Sequence, residues 1–266
     1  MDIYDEILGR TTRLQAWCTL GRHPRTYGEL LQVAERVAAA LQRAGARPGD
    51  RVELYFDVGF LFTASLLAVV AAGTTGVLLY PQWTAAECGR VRMLSTPRWT
   101  LLPANWTMPH EPLRLPGPIG ETGIGLIAHS LEGEPCEAGD AMLIYTSGSS
   151  ATPKGVILTR RNFDTNIRGV NAYLQLTAED RSAVFTPTAY AYAVSQALTH
   201  ALAAAAVYPI PEGMSHPQTV VRAIEEARLT GLAANPTIFK AMLAALAVSP
   251  SDLSSLRFVM SAGQFL

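Results

Sequence analysis

The chain has 266 residues, 49% of them hydrophobic, with 21 basic against 22 acidic side chains and a formal net charge of −1. That length can bury a substantial core and accommodates one or two domains. The near-neutral balance argues against a partner held by bulk charge, which excludes nucleic acid and anionic membrane as the expected partners.

Cys18, Cys88 and Cys136 are odd in number and widely spaced, as are the five histidines. No disulfide framework or metal spacing emerges, and a reducing, cytoplasmic compartment fits best. The N-terminus carries Asp2, Asp5 and Glu6 in place of the basic-then-apolar pattern of a signal peptide. Val58 to Tyr80 is apolar enough to raise a membrane span, but Gly73-Thr74-Thr75-Gly76 interrupts it. What remains is shorter than the roughly 20 residues a bilayer requires, so a buried helix feeding a buried strand is expected.

In chain order, Thr26-x-x-Glu29 forms a capping box that opens a helix to about Ala44, with Leu30, Leu31, Ala34, Val37, Ala38 and Leu41 on one face. Pro48-Gly49-Asp50 turns into a strand at Arg51–Phe56, followed by the apolar helix and the strand Val77–Tyr80. Thr84-x-x-Glu87 caps another helix to Ser95, and a strand follows near Trp99–Leu102. Residues 103–140 are rich in proline and glycine without a sustained period, and read as a long connection with one short strand at Ile124–Ala128. Beyond it, helices are expected over 162–174, 194–204, 218–228 and 236–247, and strands over 183–186, 206–210, 232–234 and 257–260. Alternating strands and helices predict an α/β protein, a three-layer α/β/α arrangement with mostly parallel sheets. The long connection places the expected subdomain boundary at 140, giving an N-terminal unit 1–140 and a second unit 141–266.

The stretch with the most chemistry is Leu143 to Val156. A buried strand, Met142–Tyr145, breaks into a loop whose hydroxyls come from Thr146, Ser147, Ser149, Ser150 and Thr152. Gly148 and Gly155 offer conformational freedom and close backbone approach, and Lys154 adds one mobile positive charge. Hydroxyls, backbone amides and an ammonium on a strand-anchored loop suit a polyphosphate. It is not a Walker A loop, since Pro153 stands where that motif has glycine. Taken by composition alone, the same stretch also reads as a serine- and glycine-rich surface turn with an ordinary exposed lysine.

As an ordered string it resembles the Tyr-Thr-Ser-Gly-Thr-Thr-Gly-x-Pro-Lys-Gly-Val signature of the adenylate-forming superfamily, the acyl-CoA synthetases and acyl-AMP ligases. Ser149 and Ser150 replace the two threonines and Ala151 the middle glycine. The resemblance extends along the chain. Pro48-Gly49-Asp50-Arg51-Val52 is similar to the superfamily's N-terminal segment, and Pro187 to Ser195 falls where many members have Pro-x-x-His-x-x-Gly. There Tyr190 replaces the histidine and Ala193 the glycine, a pattern nearer to a Tyr-x-Tyr-Gly-Leu-Ser subset of acyl-AMP ligases. Ala234-Asn235-Pro236-Thr237 resembles the segment lining the acyl pocket, and Leu256 to Gly263 resembles the strand and turn that approach adenine.

The resemblance implies ATP-dependent activation of a carboxylic acid as acyl-AMP with release of pyrophosphate, then transfer to the thiol of CoA or an acyl carrier protein. It implies that Thr146, Ser147, Gly148, Ser149, Ser150, Lys154 and Gly155 hold the β- and γ-phosphates, and that Ser261, Ala262 and Gly263 present backbone to adenine. Lys154 and Tyr190 would be the catalytic pair, with Tyr190, Tyr192 and Asn235 bordering the acid. Plain readings stand beside these: Tyr190 and Tyr192 as core aromatics, Ser195 as packing, and Asn235 as a helix N-cap. Mg²⁺ is implied with ATP, although the family's glutamate ligand has no counterpart here. The Tyr-Gly-x-Thr-Glu segment, the ribose-binding aspartate and the mobile C-terminal domain likewise lack counterparts, so the chain reads as an incomplete fragment. A degenerate, non-catalytic nucleotide- or acyl-binding module is the alternative expectation.

Overall fold

The computed structural model describes residues 2–109, 116–130, 133–146 and 153–262. Helix α1 (Ile3–Leu8) opens the chain, N-capped by Asp2. Strands β1 (Trp17–Thr19) and β2 (Arg25–Thr26) lead into α2 (Tyr27–Arg43), whose capping box is formed in both directions between Thr26 and Glu29. Then come β3 (Arg51–Tyr55), α3 (Phe60–Ala71), β4 (Thr75–Leu79), α4 (Ala85–Ser95, with the Thr84–Glu87 box) and β5 (Trp99–Pro103). The proline-rich connection contributes β6 (Gly117–Pro118) and β7 (Ile124–Ala128). A hairpin of β8 (Asp140–Thr146) and β9 (Lys154–Thr159) precedes α5 (Arg160–Leu174), β10 (Arg181–Val184) and α6 (Ala191–Ala203). The chain continues through β11 (Ala206–Pro209), α7 (Pro217–Ala227), β12 (Gly231–Ala234), α8 (Pro236–Val248) and β13 (Phe258–Ser261).

These strands form two sheets. The first has the order β6-β7-β5-β3-β4-β8-β9, with a parallel centre β5-β3-β4-β8 and antiparallel margins. The second has the order β13-β12-β10-β11-β1-β2 and is parallel except at β2. Strands β8 and β9 belong to the first sheet, and β1 and β2 to the second. A hydrophobic pattern marks a strand but not the sheet it joins.

Side-chain alternation assigns the layers. Leu54, Leu78, Met142 and Ile144 enter one core together with residues of α1, α2, α3, α5 and α6. Tyr55, Val77, Leu79 and Leu143 face the other way, toward Cys88 and Val91 of α4. In the second sheet Ala183, Leu232 and Ala234 pack against Val220, Ile224, Ile238 and Met242 of α7 and α8. The α/β expectation therefore appears as two three-layer units sharing a central helical layer. Helix α3 is apolar all round because it lies inside that layer, and no helix among the described residues is long and apolar enough to cross a membrane.

Candidate functional site

In open parallel sheets, ligands collect outside the carboxyl ends of strands where the chain order reverses. Each sheet has such a point. Strand β3 lies between β4 and β5, and β10 lies between β11 and β12. The two points face each other, because the Thr188 hydroxyl, on the loop after β10, donates to the carbonyls of Phe56 at 2.8 Å and Leu79 at 3.0 Å. Thr188 is buried, and it ties the loop bearing Tyr190 to the carboxyl ends of β3 and β4. Strand β8 runs parallel to β4, with Val77 opposite Leu143, so Leu79 stands level with Tyr145 and the chain leaves β8 at the same edge.

The loop that follows contains Ser147, Gly148, Ser149 and Ser150, which lie outside the described residues, as does Gly263. Its two roots are described. Thr146 pairs with Lys154 as the last pair of the hairpin, and Lys154 is exposed. Gly155 sits within β9 opposite Tyr145, and it is not among the glycines with positive φ. A Cβ there would come within 3.1 Å of Leu143 and 3.2 Å of the Tyr145 ring. Gly155 thus serves close packing and not the tight turning expected of it.

Tyr190 and Tyr192 separate. Tyr190 is the N-cap residue of α6 with no side-chain cap bond, and it is 58% exposed on the crevice loop. It lies near Tyr80, whose phenol is pushed up chiefly by burial and also feels Asp57, itself raised chiefly by burial. Tyr192 turns inward, where burial pushes its phenol up to about 12 and keeps it neutral. Asn235 is the N-cap of α8, its side chain accepting from the Ile238 amide at 2.9 Å. It stands at the carboxyl end of β12. Ser195 does more than pack: its hydroxyl donates to Asn166 at 3.0 Å. Ser261 ends β13, and the Ala262 amide donates to the Ala234 carbonyl, holding the chain end beside β12.

Behind this edge, between the second sheet and helices α5 and α6, is a cavity of about 470 Å³. Its walls are Leu158, Phe163, Val170 and Leu174 on one side, and Ala233, Phe258 and Met260 on the other. Tyr192, Ser195, Gln196, Thr199 and His200 line it from α6, and Ser182 from β10; Tyr190 and Asn235 do not. Gly231 lets two of these wall residues pack closely over β12, since a Cβ there would lie 2.2 Å from the Phe258 ring and 2.3 Å from the Ser182 hydroxyl. Sequence reading passed over Gln196, Thr199 and His200. Their signal is polar residues at positions i+4, i+7 and i+8 from Tyr192 on an otherwise alanine-rich helix.

Residues 14–266 match the family described as AMP-binding enzyme. The chain is 28% identical over 275 residues to a feruloyl-CoA synthase of Amycolatopsis sp, covering 96% of this chain and 53% of that protein. It is 26% identical over 263 residues to an oxalate–CoA ligase of Arabidopsis thaliana, covering 91% of this chain and 51% of that protein. The chain thus spans about half the length of these curated relatives. Among solved structures, a fatty acyl-adenylate ligase from L. pneumophila in complex with acyl adenylate and pyrophosphate superposes with a TM-score of 0.79 at 22% identity, covering 97% of this chain and 49% of that one. The O-succinylbenzoate coenzyme A synthetase from Bacillus subtilis in complex with AMP gives a TM-score of 0.77 at 18% identity, covering 99% of this chain and 68% of that one. With nearly every residue matched and the same two-sheet architecture, this chain belongs to the AMP-binding enzyme family.

Proposed function

We propose that this chain supplies the phosphate-gripping loop and the acid pocket of an enzyme that activates a carboxylic acid as acyl-AMP and passes the acyl group to a thiol. The observation carrying this reading is the Thr188 anchor, which sets the Tyr190 loop against the strand ends from which the serine-rich loop departs. In the reaction, a carboxylate oxygen attacks the α-phosphorus of ATP, and the bond to the β-phosphate oxygen breaks with its electron pair leaving on pyrophosphate. A thiolate then attacks the acyl carbonyl and expels AMP. Two anions must meet, so the protein's task is positioning and charge stabilisation.

Lys154, at the exposed root of the loop, would balance charge on the β- and γ-phosphates together with Thr146 and the residues up to Ser150 and Gly155. Tyr190, standing at the crevice, would donate one hydrogen bond where carboxylate and α-phosphate meet. Tyr192 would flank the acid in the cavity, Asn235 would border its entrance while capping α8, and Ser261 and Ala262 would offer backbone to adenine. Mg²⁺ would arrive with ATP, but no three His, Cys, Asp or Glu side chains gather into a metal site among the described residues. The thiol would be that of CoA or of an acyl carrier protein.

The test is acid-dependent exchange of labelled pyrophosphate into ATP by the complete native polypeptide that carries these 266 residues, across a panel of alkyl, aryl and hydroxy acids. Exchange should be present, and Lys154→Ala should lower it by roughly 10²–10³ while leaving the unfolding midpoint unchanged. No exchange with any acid overturns the reading. A second reading, a nucleotide- or acyl-binding module without turnover, is favoured by Ala151 and Ala193 at positions where the family has glycine. Calorimetric binding of ATP without exchange would support it.

A further inference from the structure

Helix α1 precedes the stretch matched to the family, yet Ile3, Tyr4 and Ile7 are fully buried. A helix of six residues does not hold itself together in water, so its place is fixed by what it packs on. It packs on α3, α5 and α6, and its buried side chains share one core with Phe163 and Ile167 of α5.

The acidic residues of this segment are tied to α5 at two levels. At the start of α5 the Arg160 guanidinium donates through Nη2 to Asp2 at 3.0 Å and to Asp5 at 2.9 Å, with a further bond from Nε to Asp2. The same guanidinium lies over the Tyr4 ring, 5.6 Å from its centroid. About two turns on, Arg168 donates to Glu6 at 2.9 Å and to Asp164 at 3.0 Å. The Ile3 amide also donates to Asp164, at 3.0 Å. Asp2, Asp5 and Glu6 thus each meet an arginine of α5.

Helix α5 is also a wall of the cavity behind the crevice. Phe163, Val170 and Leu174 face that space, and Phe163 belongs to both settings, since it shares a core with Ile3, Tyr4 and Ile7. The wall is joined to α6 by the Ser195 hydroxyl donating to Asn166 and by Asn171 donating to the Thr199 carbonyl, each at 3.0 Å. We propose that α1 is a clasp: through Arg160 and Arg168 it holds α5 at a fixed distance from α6 and the second sheet, and so sets the size of acid the cavity accepts. This rests on the adenylation reading and names a device that governs its specificity.

Exposure assigns these ion pairs to placement more than to bulk stability. The Arg160 and Asp2 side chains are 31% and 23% exposed, and those of Arg168 and Glu6 are 43% and 41% exposed. Pairs this open add little to global stability. Without them α5 keeps its apolar anchors, Phe163 and Ile167, and loses the ties that fix its position around them. A displacement of about 1 Å in a positioning element can change turnover by about 10²-fold.

The test is the triple variant Asp2→Asn, Asp5→Asn and Glu6→Gln in the complete native polypeptide that carries these 266 residues. It removes the charges that face the two arginines and keeps a side-chain oxygen at position 2 to cap α1. Pyrophosphate exchange is read with linear acids from butanoate to dodecanoate and with benzoate and cinnamate, alongside hydrogen exchange of the α5 amides. The ratio of kcat/KM between the largest and smallest acids used should shift by roughly fivefold or more, carried by KM for the acid, with KM for ATP unchanged. Amides of α5 should exchange faster while those of β3, β4 and β5 keep the parent's rates. An unchanged ratio overturns the proposal and leaves acid activation standing. A uniform loss with every acid, matched by a lowered unfolding midpoint, makes α1 an ordinary part of the core and overturns it too. No exchange by the parent overturns the adenylation reading; the clasp then stands if the α5 amides quicken in the variant and falls if they do not.

Discussion

Glu53, Arg92, Thr100 and His129 in the first sheet, and Ser182, Gln196, Thr199 and His200 beside the second, place comparable polar chemistry inside one protein. In the first group every member is engaged. The Glu53 carboxylate meets the Arg92 guanidinium, and Thr100 Oγ1 lies 2.7 Å from Glu53, 3.1 Å from Arg92 and 2.8 Å from the His129 ring. The network joins β3 and β5 to α4, so it is how that helix is fixed to its sheet. In the second group one side-chain atom of each residue is buried without a partner among the described residues. Satisfied buried polar groups hold a fold together, and unsatisfied ones cost stability. Mutation should therefore separate the two groups by sign.

The largest effect belongs to the pair. Glu53 is fully buried and Arg92 nearly so, and Glu53→Gln would leave a guanidinium without its counter-charge. A loss of about 3–5 kcal/mol is expected in urea unfolding, and the substitution need not touch ATP binding by whatever protein remains folded. Thr100→Val comes next, at about 1–3 kcal/mol, because it deprives three partners of one shared hydroxyl. A change below about 0.5 kcal/mol in either variant would break the comparison, since the first network would then be no better satisfied in effect than the second.

Asn235→Ala probes a residue with two readings and should cost about 1 kcal/mol, the usual value of a lost N-cap. If acid-dependent exchange falls no more than the loss of folded protein explains, the cap is its whole role. At Ser182 the sign should turn. Its hydroxyl has no partner in the described structure, so Ser182→Ala should leave stability within about 0.5 kcal/mol of the parent or raise it. A loss above 1 kcal/mol would mean that the hydroxyl has a structural partner, and the contrast between the two clusters would fail there.

Much of the architecture was legible because its signals are local. The capping boxes at Thr26–Glu29 and Thr84–Glu87, the interruption at Gly73–Gly76 and the proline at the start of α8 each act within a few residues, and each stands where expected. Helix α1 and strands β1 and β2 escaped notice because they are short and exist through distant partners. The Ile3 amide donates to Asp164, and β1 pairs with β11. The same reason hid the unpaired polar atoms of α6. Nothing near His200 in sequence shows that its Nε2 goes unpaired, or that Glu53, also polar in an apolar run, meets Arg92. The motif stretch was readable as a string, yet the role of Gly155 was not, because its near neighbour Tyr145 lies across a hairpin.

The smallest expected effect is a pH dependence at the join of the two themes. Burial lowers the pKa of His200 below its ordinary value of 6.5, opposed more weakly by the Gln196 carbonyl and the charge of Asp180. An unfolded chain leaves this imidazole near its ordinary value, so below about pH 6.5 the unfolded state binds more protons than the folded one. The stability this residue contributes is therefore complete above that pH and declines as pH falls toward its folded pKa. Asp180, itself lowered by Arg257 and Thr230 against its own burial, titrates only below its ordinary 3.8. Asp57, raised by burial, tilts the profile the opposite way in parent and variant alike, so the difference between the two isolates His200. Unfolding midpoints measured from about pH 6.5 to 4.5 should fall further in the parent protein than in His200→Asn, which keeps a donor for the Gln196 carbonyl but cannot take up a proton. Identical slopes in parent and variant would mean that His200 is protonated or solvated in the folded state. The buried, bare Nε2 acceptor would then not exist.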